Sequence, residues 1–346
     1  MVEALASEIE LRKDEFQNDT VETIYFGGGT PSVLTIEELQ FLIETVYENY
    51  RVSDKPEITI EANPDDLSKA KIVALSQSPI NRLSIGIQSF FEDDLKLMNR
   101  AHNAQEAKDC LTEATKHFTN ISVDLIYGIQ HSTQEKWLRN IQTVLNYNIP
   151  HISSYALTVE PKTALASFIK KGIIDDVDDE LAHAQFHVLK DKLEDKGFVH
   201  YELSNFGKKG FFSVNNTAYW QGKSYIGIGP SAHSFNGTQR SWNVRNNSKY
   251  INVIKQNELP SEIENLTQID RYNEYVMTGL RTMFGLSLFK VENDFGADYK
   301  KYLLDHAQIF INQHLLYIDE GHLIATKEGQ FLTDGISSEL FKLNIS

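Results

Sequence analysis

YFGGGTPS (residues 25–32) directly follows the β-rich run VETIYF (21–26), and this junction decides the fold class. Three consecutive glycines after a buried strand let the backbone approach a ligand closely and expose several N–H donors. A turn from strand to helix would need only one glycine. No Gly-Lys-Ser/Thr follows, which excludes a phosphate P-loop, and the G-x-G-x-x-G dinucleotide fingerprint is also absent. We therefore predict a ligand-contacting loop at the carboxyl end of a strand.

Four further β-rich runs follow, and each run is followed by a segment of helical period. Strand and helix units at this spacing predict an α/β protein with a parallel sheet, either doubly wound or closed as a barrel. Both architectures place their sites at the carboxyl ends of the strands. The five runs cover 21–26, 57–62, 82–87, 121–128 and 151–157, and helices are predicted near 36–50, 66–77, 91–98, 104–117, 134–147 and 178–196.

Candidate ligand-binding side chains lie at or near these strand ends, and one more, Arg100, lies at the end of a predicted helix. Glu61 could accept hydrogen bonds from an amino group or a ribose hydroxyl, and Arg100 could clamp a carboxylate with two hydrogen bonds. Asp124 lies within an apolar strand, where a carboxylate is costly unless it has a partner. Simpler roles stay open, because Glu61 lies near a helix cap, Gln88 could only end a strand, and Arg100 could only favour a helix dipole.

The stretch NNTAYWQGKSYIGIGPSAHSFNG (215–237) is the second strong signal. Its aromatic residues, glycines and the imidazole of His233 would form a flat surface suited to a planar macrocycle. A cover of loop and strand over the barrel mouth accounts for the same residues equally well. Further on, two short strands that turn at Glu320-Gly321 resemble the wing of a winged helix. Its acidic residues favour a packing appendage over DNA binding.

Composition excludes several classes of protein. The formal net charge of −15 disfavours binding to nucleic acid and allows at most peripheral contact with a membrane. The chain has one cysteine, Cys110, so it cannot form an internal disulfide or a thiolate metal site, and a cytoplasmic location fits best. His183 and His187, spaced i and i+4, are interpreted as a surface pair.

Six motifs, in this order, resemble those of the oxygen-independent coproporphyrinogen oxidase-like radical-SAM proteins: YFGGGTPS, EANP, NRLSIGIQSF, VDLIYG, HYELSNF and NTAYW…GIGPSAHS. The resemblance covers essentially the whole chain. It is strongest to the heme-chaperone branch of the family, which carries a His-Asn-x-x-Tyr-Trp signature where this chain has Asn215-Asn216-Thr-Ala-Tyr219-Trp220.

The resemblance implies an incomplete (β/α)6 radical-SAM-type barrel, without its first strand in this chain, followed by a smaller C-terminal α+β domain. The expected boundaries are 1–200 for the partial barrel, 201–262 for a loop-rich cover and 263–346 for a helical, winged-helix-like domain. Expected cofactors are S-adenosylmethionine, a [4Fe-4S] cluster in the intact family form, and heme. The implied S-adenosylmethionine contacts are Gly28, Gly29, Thr30, Glu61, Gln88, Arg100, Asp124, Ala156 and His233, and the implied heme contacts are Asn216, Tyr219 and Trp220.

Two departures from the family pattern alter these expectations. The family binds its cluster through a C-x-x-x-C-x-x-C loop that this chain lacks, so we expect no metal site here and no radical chemistry from the chain as written. Because Met1 falls within a predicted helix, we expect the sequence to begin inside the family's frame. Asn215 replaces the signature histidine, and an amide ligates iron poorly, although His233 or His200 could substitute.

These observations together favour a cytoplasmic heme chaperone that binds heme and S-adenosylmethionine and delivers heme to an acceptor protein. The alternative is an oxygen-independent coproporphyrinogen III oxidase of porphyrin biosynthesis, which performs a radical oxidative decarboxylation. A third possibility is a remnant without a cluster and without either activity. The NTAYW stretch favours the chaperone.

Overall fold

The structure, a computed structural model, describes residues 1–16, 19–159, 164–172 and 175–343. Its centre is a curled, seven-stranded half-barrel sheet in the order β1-β2-β3-β4-β5-β7-β6. The first five strands are parallel, and β7 runs antiparallel to both neighbours. The strands are β1 (Val21–Phe26), β2 (Val52–Ala62), β3 (Arg82–Gln88), β4 (Ile121–Tyr127), β5 (His151–Ala156), β6 (Val199–Glu202) and β7 (Asn205–Gly207).

Helices cover the outer face of this sheet. Their apolar side chains pack on the apolar residues of the strands, such as Ile60, Ile85 and Val123, which are fully buried. Two 3-10 turns, Pro31–Val33 and Pro64–Asp66, follow β1 and β2. The helices are α1 (Val2–Leu11), α2 (Ile36–Asn49), α3 (Lys69–Ser76), α4 (Glu92–Leu97), α5 (Ala104–His117), α6 (Gln134–Asn146), α7 (Ala164–Lys170) and α8 (Asp179–Glu194).

The opposite, concave side of the sheet carries polar side chains, and we call it the inner face. Side chains alternate between the two sides of a strand, so an apolar-polar sequence of period two separates the helix-packed side from the inner face. The strand registers align polar residues across neighbouring strands. The inner face consists of Thr23, Tyr25, Glu57, Thr59, Glu61, Arg82, Ser84, Ser122, Asp124, His151, Ser153 and Tyr155.

Residues after β7 form a second, three-stranded antiparallel sheet in the order β10-β9-β8 with two helices. The expected loop-rich cover over 201–262 contains a helix, and residues of the NNTAYW motif lie in it. That helix ends at Trp220 and has Ser213 as its N-cap. The elements are α9 (Val214–Trp220), β8 (His233–Phe235), β9 (Gln239–Asn243), α10 (Asn247–Ile254) and β10 (Ser261–Asn265).

The C-terminal part has its own apolar core and a three-stranded sheet in the order β11-β13-β12. The predicted two-stranded wing is present, with Glu320 and Gly321 both at positive φ in its turn. The backbone N–H of Leu203 donates to the Arg281 carbonyl at 2.9 Å, which links this part to β6. The elements are α11 (Gln268–Leu280), β11 (Leu286–Ser287), α12 (Leu288–Phe295), α13 (Ala297–Asn312), β12 (Leu316–Asp319), β13 (His322–Ala325), α14 (Lys327–Gln330) and α15 (Thr333–Leu340).

Helix α8, which carries the His183 and His187 pair, buries Phe186, Leu189 and Leu193 against the main core, because these residues form one stripe of the helix. In the described part of the chain, no helix is both long and apolar enough to cross a bilayer.

Candidate functional site

The glycine loop after β1 is held by a carboxylate at the end of β2. The hydroxyl of Tyr25 donates to Glu61 Oε1 at 2.6 Å, and the backbone N–H of Gly28 donates to Glu61 Oε2 at 3.1 Å. A Cβ on Gly27 would overlap a ring carbon of Tyr25 and lie 2.9 Å from Glu61 Oε1, so a larger residue would displace both side chains. Gly28 and Gly29 have φ of 67° and 91°, a left-handed conformation that glycine adopts without strain.

A second group of polar side chains lies at the ends of β2 and β3. Arg100 Nη2 donates to Asn63 Oδ1 at 2.8 Å. A Cβ on Gly86 would lie 2.9 Å from Gln88 Nε2 and 3.3 Å from Arg100 Nη2, so the glycine leaves room for both side chains. Gln88 has a φ of 65°, an unusual conformation for a non-glycine residue that often marks functional sites.

Asp124 is the second carboxylate of this site, and it is half-buried. Burial raises its pKa to about 7, and the nearby Glu61 carboxylate acts in the same direction. A hydrogen bond from Ser153 and the charges of Arg82 and Arg100 oppose that rise in the pKa. Asp124 therefore exchanges a proton near neutral pH, whereas a surface aspartate stays ionised.

Tyr25 and Tyr155 flank this carboxylate, and burial raises the pKa of both phenols. For Tyr25 the next cause is the charge of Glu61, and for Tyr155 it is that of Asp124. Both phenols therefore remain neutral hydrogen-bond donors. Together the site offers two carboxyl groups, two amides, one guanidinium and a glycine loop. This set suits a ligand that has an ammonium group, a carboxylate and hydroxyl groups.

The structure thus brings together Gly28, Glu61, Gln88, Arg100 and Asp124 from the predicted set. Thr30 is exposed and immediately precedes the first 3-10 turn, and Ala156 ends β5 beside Tyr127. His233 lies on β8, and its ring is 6.1 Å from that of Trp242. His233 is therefore on the second sheet, and the other seven residues of the predicted set named here belong to the half-barrel.

The predicted heme-contacting residues lie on α9. Tyr219 is 42% exposed, and its ring packs edge-on against Tyr225 at 4.5 Å. The ring of Trp220 lies 5.6 Å from the guanidinium carbon of Arg281. Asn215 accepts a 2.9 Å hydrogen bond from the Thr23 hydroxyl through Oδ1, so its amide oxygen attaches α9 to β1.

Sequence reasoning missed the buried polar residues deeper in the inner face. The Ser122 hydroxyl lies 2.7 Å from His151 Nδ1, and His151 Nε2 lies 2.7 Å from the Tyr201 hydroxyl. Burial lowers the pKa of His151 well below its ordinary value, so the ring is neutral. The period-two pattern in RLSIGIQ, ISVDLIY and HISSYA carries this signal, because each run alternates apolar residues with polar or small ones.

Cysteine and histidine chemistry outside this site is limited. Cys110 is buried in the main core, and burial raises the pKa of its thiol to about 12. His183 and His187 form an exposed pair with their Nε2 atoms 2.9 Å apart. In the parts of the chain that the structure describes, no three His, Cys, Asp or Glu side chains are grouped to hold a metal. A [4Fe-4S] cluster needs several thiolates, so the residues present do not fit one.

Comparison with known proteins identifies the family. Residues 2–144 match the Radical SAM superfamily, and residues 266–332 match the HemN C-terminal domain. The heme chaperone HemW of Lactococcus lactis is 33% identical over 325 residues, which are 93% of this chain and 86% of that protein. The chain belongs to the HemW family. HemW of Bacillus subtilis is 31% identical over 90% of this chain and 83% of its own length.

The family assignment confirms the predicted fold. Coproporphyrinogen III oxidase (HemN) from Escherichia coli, a radical SAM enzyme, superposes with a TM-score of 0.82 at 23% identity, covering 98% of this chain and 82% of that one. Membership of the radical SAM superfamily implies S-adenosylmethionine and a [4Fe-4S] cluster as the family's cofactors. These two HemW relatives match this chain at 33% and 31% identity, whereas the likeness to the oxidase, at 23% identity, shows a common fold.

Proposed function

We propose that this protein is a cytoplasmic heme chaperone that binds heme and S-adenosylmethionine and passes the heme to an acceptor protein. The observation that carries this proposal is the aromatic helix α9, which lies beside β1 of the half-barrel and holds the Tyr219 ring exposed. The chain is also similar to heme chaperones along most of its length. A planar macrocycle packs well against such rings.

S-adenosylmethionine is the ligand that the strand-end site would bind. Arg100 would pair with its carboxylate, while Glu61 and Asp124 would accept hydrogen bonds from its ammonium and ribose groups. The glycine loop would contact it through backbone groups, and Gln88 would add an amide. The bound molecule supplies a sulfonium group, a good leaving group. A radical step would need an electron from a cluster, and the single thiol of Cys110 cannot hold one.

The heme would lie against Asn216, Tyr219 and Trp220. Asn215 is a poor candidate for the iron ligand, because its amide oxygen already accepts from Thr23. His200 is excluded as well, since its Nδ1 lies 3.2 Å from Gln330 Oε1 and its Nε2 lies 3.1 Å from the Leu203 carbonyl. His233, which is exposed, is the imidazole that remains from the sequence candidates.

A hemin titration of the purified chain, followed by its Soret absorption, tests heme binding. We expect a saturable shift with one equivalent of hemin, and His233→Ala should alter the position of the bound band. A linear, unsaturable rise in free-hemin absorption would rule out the chaperone. The coproporphyrinogen oxidase alternative is less supported, because the similarity to that enzyme is one of fold.

A further inference from the structure

The first turn of α9 is attached to the half-barrel by a buried carboxylate on β2. Glu57 Oε2 accepts from the backbone N–H of Val214 at 3.1 Å, and its Oε1 accepts from that of Asn215 at 3.0 Å. The Ser213 hydroxyl lies 3.4 Å from Oε1 as well. Glu57 is only 8% exposed, so these donors replace the water that an ionised carboxylate needs.

The charge of Glu57 is balanced by an equally buried arginine. Arg82 is 2% exposed, its Nε lies 4.0 Å from Glu57 Oε2, and its Nη1 donates to Asn120 Oδ1 at 2.6 Å. Burying such a pair is expensive, and helix capping alone does not require it. The Ser213 hydroxyl already caps α9 by accepting from the Asn216 N–H at 3.2 Å. The carboxylate therefore adds a fixed attachment between this helix and β2.

Two further contacts fix the same turn. The Ser213 backbone N–H donates to the Tyr201 hydroxyl at 3.3 Å, and Thr23 donates to Asn215. The turn is thus bonded to β1, β2 and β6. Tyr219, which is exposed, and Trp220, which is half-buried, lie at the other end of this helix of seven residues. A small rotation of the first turn would displace both rings.

We propose that Glu57 is a positioning residue that sets where the Tyr219 and Trp220 rings face a bound heme. The inference rests on the proposed function for the identity of the ligand, and on the contacts above for the positioning. Glu57 itself touches no heme in this account and acts only through α9.

Glu57→Gln tests the inference, because it keeps the size of the side chain but turns one acceptor into a donor that faces backbone N–H groups. Glu38→Gln is the matched control, since Glu38 accepts from the Thr35 N–H at 2.8 Å in the capping box of α2. We expect Glu57→Gln to weaken hemin affinity by about tenfold and to move the Soret maximum of the complex. Glu38→Gln should leave both unchanged.

A second readout needs no heme. The chain has three tryptophans, so protein labelled with 5-fluorotryptophan should give three ¹⁹F resonances, and Trp220→Phe assigns one of them. In Glu57→Gln we expect the Trp220 resonance to shift while those of Trp137 and Trp242 keep their positions. An unchanged Trp220 resonance would overturn the positioning role.

Hemin affinity and the ¹⁹F resonance of Trp220 distinguish a failure of the proposed function from a failure of the positioning role. If the wild-type chain binds no hemin, the proposed function fails, and the Trp220 resonance alone decides the positioning role. If Glu57→Gln does not fold, Tyr201→Phe replaces it, because that change removes the hydroxyl that accepts from the Ser213 N–H and that also contacts His151 Nε2. A hemin affinity within twofold of wild type in the folded variant would then contradict the proposal.

Discussion

The hydroxyl of Tyr25 donates a 2.6 Å hydrogen bond to Glu61, and the other oxygen of that carboxylate receives the N–H of Gly28. The Glu61 side chain at the end of β2 thus holds both the end of β1 and the glycine loop that follows it. Glu61 has two roles in our account: it shapes the loop, and it accepts hydrogen bonds from S-adenosylmethionine.

Glu61→Gln should therefore weaken S-adenosylmethionine binding by more than Tyr25→Phe does. Losing hydrogen bonds to a charged group costs roughly 1.5–3 kcal/mol, which is about ten- to a hundredfold in affinity. Tyr25→Phe removes one bond and leaves the carboxylate in place, so we expect a smaller loss. Isothermal titration calorimetry measures both, with the exposed Tyr47→Phe as the control. Equal affinities for Glu61→Gln and wild type would disprove the role of Glu61.

Substitutions at Gly28 test the binding role of the glycine loop through its backbone conformation alone. A Cβ there would meet no atom within 4 Å, but its φ of 67° is strained for most side chains and worst for β-branched ones. Gly28→Val should abolish S-adenosylmethionine binding, whereas Gly28→Asn should retain part of it, because asparagine tolerates the left-handed region. Calorimetry that finds wild-type affinity in the valine variant would refute a binding role for this loop.

Asp124 makes the stability of the fold depend on pH. Its pKa rises from 3.8 in the unfolded chain to about 7 in the folded protein, so the folded state binds the extra proton between these values. The free energy of unfolding is then highest below pH 4 for this group and falls as pH rises through about 7. The full effect is on the order of 4 kcal/mol.

Urea unfolding at pH 5 and pH 8 measures this dependence. Other groups titrate too, so the comparison is between the wild type and Asp124→Asn, which cannot ionise. We expect the wild type to lose more stability than the variant between these two values. If both lose the same amount, Asp124 is not protonated in the folded protein.

The succession of β-rich runs and segments of helical period made much of this architecture predictable from sequence. All five parallel strands and most outer helices fall near where the sequence places them, because β-rich composition and helical period are local signals. Glu61, Gln88 and Asp124 could be selected because they lie at or near strand ends, and Arg100 because it is a cation just after a predicted helix. Helix α9 could not, because the carboxylate at its start lies 157 residues before Val214 in the chain.

The aromatic residues of α9 provide the test of the heme site. Tyr219→Ala and Trp220→Ala should weaken hemin binding while the far-ultraviolet circular dichroism and the unfolding midpoint stay close to wild type. Tyr317→Ala is a suitable control, because Tyr317 is 43% exposed, like Tyr219 at 42%, but lies on the C-terminal wing. Unchanged hemin affinity in both α9 variants would make that helix a packing element only.

Transfer of heme tests the central claim most directly. The chain is loaded with one equivalent of hemin, freed of excess ligand, and mixed with apomyoglobin, whose holo form has its own Soret spectrum. We predict a saturable complex that yields its heme to apomyoglobin, and weaker loading of Tyr219→Ala. A chain that takes up no hemin stoichiometrically, or that holds it without release, would contradict the account of this protein as a heme chaperone.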